Sequence, residues 1–408
     1  MKVALLTLGC RVNQSETADI KGSLRENGVT IVGIKDNPDI CIINTCTVTA
    51  RSDYTSRQLI RRASRTGAKV IVTGCYSQLK PEEAARIPGV SEIVDINNKF
   101  SIIKLVTGDS AGIPYGNYNR SRPYLKIQDG CNFNCSYCSV PLARGKSRSV
   151  PADEVIKRAR MIGAGGYNEI VLTGIHLGSY GHDLKEKTGL GALLKNLLKQ
   201  TSIHRFRLSS LEINEVDDEL IELMREDRVC NHLHLPLQSG SNKILKLMRR
   251  NYSAETYAEK IEKLSSRIEN ISIGADIIIG FPGEGEKEFD ESFSLIEAGA
   301  FSYLHVFPFS GRSGTQAAGM KDLPSQSAVK DRMERIMSLN VHKKESYMSG
   351  QMNRTLDVIL EERTNDGIVA GTSANYLKIN VRLKDYIKGS IANIRPLKII
   401  DGRIEGIA

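Results

Sequence analysis

Six of the eight cysteines in this 408-residue chain stand just beyond apolar, strand-like runs. Cys10 follows Lys2 to Leu8, Cys46 follows Asp39 to Asn44, and Cys75 follows Val70 to Thr73. Cys131, Cys135 and Cys138 follow Tyr124 to Ile127 in one tight loop, spaced C-x3-C-x2-C. Runs such as VALLTL and ICIIN fit parallel strands buried on both faces. Parallel sheets gather ligands at the carboxyl ends of their strands, so the cysteines mark where chemistry belongs. Three thiolates in a tight loop can hold three irons of a cubane cluster and leave the fourth iron open to a small molecule.

The loop has two other possible uses. A zinc knuckle needs a fourth Cys or His close by, and the nearest downstream histidine is His176. A disulfide scaffold suits short exported chains rather than one of this length. Cys10, Cys46 and Cys75 are either three separate core thiols or a second shared site with an open iron. Cys41 and Cys230 sit in or beside apolar runs and read as core residues.

Alternation of strand-like runs with helical patterns organises the chain. Residues 1–110 read as a doubly wound parallel α/β sheet, whose fourth run is Glu92 to Ile96. Residues 106–123, rich in Gly, Ser, Asn and Pro, read as a linker. Residues 122–340 carry six strand-like runs: Tyr124 to Ile127, Glu169 to Thr173, Arg205 to Leu211, His232 to Leu237, Ile271 to Ile279 and Tyr303 to Phe307. Six βα units predict a partial barrel of parallel strands with its chemistry at their carboxyl ends. Between the fourth and fifth runs, Tyr257, Ile261, Leu264 and Ile268 form one helical stripe that Ser253 is placed to cap. Residues 345–408 break into four short strands, a small β-barrel that serves either as an RNA-binding appendage or as a structural cap.

Polar groups follow the same geometry. Thr173-Gly174, Ser209-Ser210, Gln238-Ser239-Gly240 and Gly280 end successive barrel strands, where they form a ring fit for a nucleoside or stand as ordinary turn residues. Glu212 and Asp276 are acceptors at that edge, and His176, His232 and His234 read as structural or substrate-lining. Arg144, Lys146 and Arg148 follow the loop and either meet phosphate or carboxylate or form a solvated surface. Arg57, Arg61, Arg62, Arg65 and Lys69 allow the same two readings. Lys and Arg exceed Asp and Glu by 56 to 47, a formal charge of +9 compatible with a nucleic-acid partner. No apolar run reaches the roughly 18 residues of a membrane span, and MKVALLTLGC reads as a buried first strand. A cytoplasmic protein is expected, without membrane or DNA as partner.

Cysteines at 10, 46 and 75, the later cysteine loop with Tyr137 before its last member, and the β-rich tail form one combination. With LGCRVNQSE, PLARGKSRS, HLPLQSGS and IIGFPGE, it resembles the radical S-adenosylmethionine methylthiotransferases over essentially the whole chain. LTGIHLGSYGHDL, LHLPLQSGSNKILKLMRRNY and LHVFPFSGRSGTQAAGM are similar to the branch acting on threonylcarbamoyladenosine in tRNA, whose members commonly carry Lys where this chain has Arg11.

The resemblance implies two 4Fe-4S clusters. Cys131, Cys135 and Cys138 would hold the one that chelates and cleaves S-adenosylmethionine. Cys10, Cys46 and Cys75 would hold an auxiliary cluster that presents methylated sulfur. Tyr137, Thr173, Gly174, Ser209, Gln238 and Gly280 would line the S-adenosylmethionine site, and Arg144, Lys146 and Arg148 the substrate. The reaction implied places a methylthio group on C2 of N6-threonylcarbamoyladenosine at position 37 of tRNA, with two S-adenosylmethionine molecules used per turnover. Its partners would be tRNA, met by a TRAM-like C-terminal barrel, and an electron donor such as flavodoxin or ferredoxin. The rival readings are a methylthiotransferase for isopentenyladenosine or for a ribosomal-protein aspartate, and a noncatalytic iron–sulfur RNA-binding redox sensor.

Overall fold

The computed structural model describes residues 1–108, 118, 120–364 and 366–408, so the expected linker lies in part outside the described residues. Five parallel strands come first: β1 (Lys2–Thr7), β2 (Thr30–Val32), β3 (Ile40–Thr45), β4 (Lys69–Gly74) and β5 (Val90–Ile93). They lie in the order β2-β1-β3-β4-β5. All six residues of β3 are buried, as an apolar run covered on both faces requires. Helix α1 (Arg11–Glu26) covers one face through Ile20 and Leu24, and α2 (Ala50–Ser64) covers the other through Ile60 and Ala63. The order reverses between β1 and β3, where doubly wound sheets open a ligand crevice. β2 is a three-residue edge strand, too short to show a period in the sequence.

The central layer begins with β6 (Tyr124–Lys126). The short antiparallel pair β7 (Gln128–Asp129) and β8 (Arg148–Ser149) then brackets the cysteine loop. The remaining strands are β9 (Glu169–Thr173), β10 (Arg205–Leu208), β11 (His232–His234), β12 (Ser272–Ile279) and β13 (Tyr303–Pro308). Six parallel strands stand in chain order as two hydrogen-bonded groups, β6-β9-β10 and β11-β12-β13. The Leu211 amide donates to the His234 carbonyl between the groups. One core unites strand residues such as Ile170, Phe206 and Ile277 with helix residues such as Leu194 and Tyr257. The helix Ala254–Arg267 buries Tyr257, Ile261 and Leu264, and the Ser253 hydroxyl accepts from the Thr256 amide as its cap.

The last five strands, β14 (Leu356–Arg363), β15 (Ile368–Ser373), β16 (Lys378–Arg382), β17 (Ile391–Ile400) and β18 (Arg403–Ile407), close into a barrel. Four were anticipated; β18 closes the ring by pairing with β16 and β17. Arg205 and Arg207, both fully buried, dock this barrel on the central layer. They donate to the carbonyls of Asp357, Thr372, Ser373 and Ala374. Glu169 neutralises them, with Arg205 Nε at 2.7 Å and Arg207 Nε at 2.8 Å.

Burial works to raise the Glu169 carboxyl, but Arg207, Arg205 and Arg122 hold it at about 2. A folded value below the unfolded one stabilises above the unfolded pKa of about 4.3 and loses that contribution as pH falls through the folded value. Acid is therefore expected to loosen the docked barrel between about pH 4 and pH 2. Hydrogen exchange across β14 and β15 checks this, and Glu169→Gln should flatten the dependence.

Candidate active site

Three turns bring Cys10, Cys46 and Cys75 to the β1/β3 crevice. Cys10 caps α1, Cys46 follows β3, and Cys75 begins a short helix after β4. Gly9 (φ +97°) passes so close that a Cβ there would lie 2.8 Å from the Cys46 Sγ, and a Cβ at Gly74 (φ +102°) would lie 2.4 Å from the Thr45 carbonyl oxygen. The side-chain amide of Asn13 donates to the carbonyls of Leu8 and Thr45, fixing two of the strand ends. Burial pushes the Cys46 and Cys75 thiols up, and a thiolate at Cys10 adds to both effects. No disulfide joins any cysteine. The donor set is three thiols at one edge, with Cys10 exposed, and it fits a cluster with one open iron.

The second group lies at the end of β6. Gly130 (φ +70°) permits the tight turn, because a Cβ there would sit 2.0 Å from the Lys146 carbonyl oxygen. The Cys131 amide donates to the Gly145 carbonyl and the Ser136 amide to that of Met248. Tyr137 meets Phe281 edge-on, ring centroids 6.4 Å apart, in a cluster on which Ile278 and Phe309 also pack. Arg250 donates to the Cys135 Sγ at 3.4 Å and also pairs with Glu212. His176 Nδ1 lies 3.7 Å from the Cys131 Sγ, while its Nε2 faces Glu215. Burial opposes the charged imidazole, but Cys131 and Glu215 push His176 up to about 10. Neither His176 nor Arg250 was singled out for this place, since nothing in their spacing signals it.

Around this loop, Ser209 Oγ is buried without a hydrogen-bond partner among the described residues, and Thr173 is buried at the end of β9. An orphaned hydroxyl at the carboxyl end of β10 fits a missing polar ligand. Gly174 lies against the Gln128 side chain. Gln238 adopts the left-handed conformation (φ +67°) and its amide donates to the Asp276 carbonyl. Gly280 is closed off differently: a Cβ there would meet Val329 at 2.6 Å, so glycine serves helix packing at that turn.

The three basic residues after the loop part company. Lys146 and Arg148 are exposed. Arg144 is buried, which corrects its expected place at the surface. It donates to Glu16 at 3.1 Å, to Asp129 at 2.8 Å and to the Asn13 side chain. Lys126 bonds Glu16 at 2.8 Å and Asp129 at 3.3 Å, and Lys99 also pairs with Glu16. Burial works to raise Glu16, yet Lys99, Arg144 and Lys126 hold it well below the usual carboxylate range. This network joins α1, beside Cys10, to the turn after the second cysteine group.

Arg312 makes a second tie. It donates to Thr47 at 2.8 Å and to Asp53 at 2.6 Å. A cleft of ≈ 640 Å³ opens here, with Thr47, Arg57, Lys80, Ser139 and Arg312 in its walls. Thr47 follows Cys46 and Ser139 follows Cys138, so a chain neighbour of one cysteine from each group lines the cleft. Arg57, Arg61 and Arg62 lie on α2; Arg65 and Lys69 lie beyond its end.

Six parallel strands with a three-cysteine loop after the first define a radical S-adenosylmethionine enzyme, here preceded by a second cysteine-bearing sheet. Residues 125–296 match the radical SAM superfamily, and residues 2–95 match an uncharacterized protein family, UPF0004. The chain is 38% identical to threonylcarbamoyladenosine tRNA methylthiotransferase MtaB of Bacillus subtilis, over 97% of this chain and 94% of that protein. The protein of the same name from Aquifex aeolicus is 36% identical, over 89% and 93%. A tRNA-2-methylthio-N(6)-dimethylallyladenosine synthase of Acetivibrio thermocellus is 29% identical, over 98% and 90%. Among solved structures, the radical S-adenosylmethionine methyltransferase TsrM of Kitasatospora setae shares the fold, with a TM-score of 0.57 at 15% identity over 75% of this chain and 72% of that one. The chain belongs to the radical S-adenosylmethionine methylthiotransferase family.

Proposed function

We propose that this chain converts N6-threonylcarbamoyladenosine at position 37 of tRNA to its 2-methylthio derivative, using two S-adenosylmethionine molecules per turnover. The observation that carries the reading is the pair of three-cysteine groups, held in one frame by Arg144 and Glu16, with a chain neighbour of one cysteine from each lining a shared cleft. The names of the Bacillus and Aquifex relatives support the choice of nucleoside.

Cys131, Cys135 and Cys138 hold one 4Fe-4S cluster, and Cys10, Cys46 and Cys75 hold the auxiliary one. When bound, these clusters and S-adenosylmethionine supply the radical chemistry and the sulfur that an inert adenine C–H requires. The protein positions them. Arg250 donates toward Cys135, and His176 stands against Cys131. The free hydroxyl of Ser209 serves the polar part of S-adenosylmethionine, with Tyr137, Thr173, Gly174 and Gln238 lining the same site. Lys146 and Arg148 remain exposed for RNA phosphates, whereas Arg144 acts inside the protein.

The C-terminal barrel is an RNA-binding module, and electrons come from a flavodoxin- or ferredoxin-like donor in the cytoplasm. Among the described residues no helix is long and apolar enough to cross a membrane. The test is anaerobic reconstitution of the full chain with a reductant and an anticodon stem-loop carrying threonylcarbamoyladenosine. Mass spectrometry should find the 2-methylthio nucleoside. Its absence, with the isopentenyl substrate converted instead, would overturn the choice of nucleoside.

A further inference from the structure

The inner wall of the central layer is polar halfway down. Along β12, Ile273, Ala275, Ile277 and Ile279 pack into the outer core with the helices. Strand alternation therefore turns Gly274, Asp276 and Ile278 inward. Ile278 packs against the same buried cluster, around Phe281 and Met248, as Tyr137 of the cysteine loop. From Phe307, the wall passes to His305 (ring centroids 6.5 Å apart), to Tyr303 (5.3 Å) and to Tyr376 (5.9 Å) of the C-terminal barrel.

His305 stands in this wall with an open edge. Its side chain is 53% exposed, against 6% for His234. Asp276 Oδ1 bonds His305 Nδ1 at 3.2 Å and His234 Nε2 at 2.9 Å. The Tyr303 hydroxyl bonds His234 Nδ1 at 3.2 Å and His232 Nε2 at 2.8 Å. These partners orient the His305 ring through Nδ1 and leave its Nε2 without a partner among the described residues.

Arg11 reaches the same wall from the N-terminal sheet, next to Cys10. Its Nη2 donates to the Tyr376 hydroxyl at 3.2 Å. Tyr376 is itself fixed, in the left-handed conformation (φ +68°) and stacked on His232 at 4.2 Å. Arg11 Nη1 lies out of solvent with no partner among the described residues. Buried Arg144, Arg207 and Arg312 each reach a carboxylate; Arg11 pairs with none among the described residues. Arg11 as a whole is partly exposed, but a guanidinium nitrogen held out of solvent without an acceptor is costly. The cost is greater at the first residue of α1, where the helix end is already positive. Both features call for an anion that arrives from outside the chain.

We infer that Arg11 and His305 form the subsite for the N6 substituent, where they take the carboxylate of the threonylcarbamoyl group. This rests on the function proposed above and deepens it. The threonylcarbamoyl group carries a carboxylate and a hydroxyl, and a dimethylallyl group carries neither. An apolar substituent here would bury the guanidinium without an acceptor, so the wall selects against it.

The experiment measures binding of the reconstituted full chain to three anticodon stem-loops that differ only at position 37, with threonylcarbamoyl-, isopentenyl- or unmodified adenosine. Iron and sulfide per chain are determined for each protein. Wild type should favour the threonylcarbamoyl RNA over the unmodified one. Arg11→Gln and His305→Ala should each lower that preference by about tenfold or more, as loss of a charged hydrogen bond would, and Arg11→Lys should keep most of it. Unchanged preference in both variants overturns the subsite and leaves the proposed function standing. Loss of iron and sulfide in Arg11→Gln, with preference intact in His305→Ala, assigns Arg11 to the auxiliary cysteines and also overturns it. A wild type that favours the isopentenyl RNA overturns the functional reading and the subsite with it.

Discussion

Cys46→Ala is expected to leave S-adenosylmethionine cleavage running while methylthio transfer falls to background. Cys135→Ala is expected to abolish both. The split follows from where the side chains lie. Cys46 belongs to the β1/β3 crevice with Cys10 and Cys75, and it is tied to the second group through Thr47 and Arg312 and through the Arg144 network. Cys135 lies in the loop after β6, where Arg250 donates to its Sγ. Removing one of three thiolates empties one site without disturbing the other sheet. Counting 5′-deoxyadenosine and methylthiolated nucleoside from the same reduced, anaerobic reaction reads both activities. Transfer retained in Cys46→Ala would sink the assignment of the auxiliary cluster; cleavage retained in Cys135→Ala would sink that of the central one.

Arg144→Ala is expected to destabilise the folded chain by about 3–5 kcal/mol, the usual cost of stripping one partner from a buried ion network. Glu16 and Asp129 share Arg144, and Glu16 is almost wholly buried. Lys126 and Lys99 cannot replace it, because the Arg144 guanidinium also donates to Asn13, which holds the ends of β1 and β3. Arg144→Lys should recover only part of the loss, since an ammonium lacks the planar fork that spans these acceptors. Denaturant unfolding of the full chain measures it. A change within about 0.5 kcal/mol, as for a surface arginine, would show that the network is not the clamp described.

What could be read in advance depended on how local the signal was. VALLTL and ICIIN betray buried parallel strands because each residue carries the message by itself, and the cysteines at their ends inherit their position. Ser253 and the Tyr257 stripe are likewise local and lie where the helical period puts them. The three-residue edge strand β2 and the five-residue closing strand β18 were not legible, because strands so short carry too few residues to show a period. Arg144 reads in sequence as a substrate-binding or solvated charge, because its acidic partner Glu16 lies 128 positions away. His176 against Cys131 and Arg11 against Tyr376 are also meetings made by the fold alone. Gly280 looked like a nucleoside contact, and the helix Gln326–Ser349 that occupies its free face begins far downstream.

The central claim is tested most directly by nucleoside mass spectrometry of tRNA from cells with and without this gene. The account predicts that 2-methylthio-threonylcarbamoyladenosine vanishes when the gene is removed and that its unthiolated precursor accumulates. If the isopentenyl nucleoside loses its methylthio group instead, the chemistry stands and the substrate is contradicted. If every tRNA nucleoside is unchanged, the claim that tRNA is the substrate is contradicted.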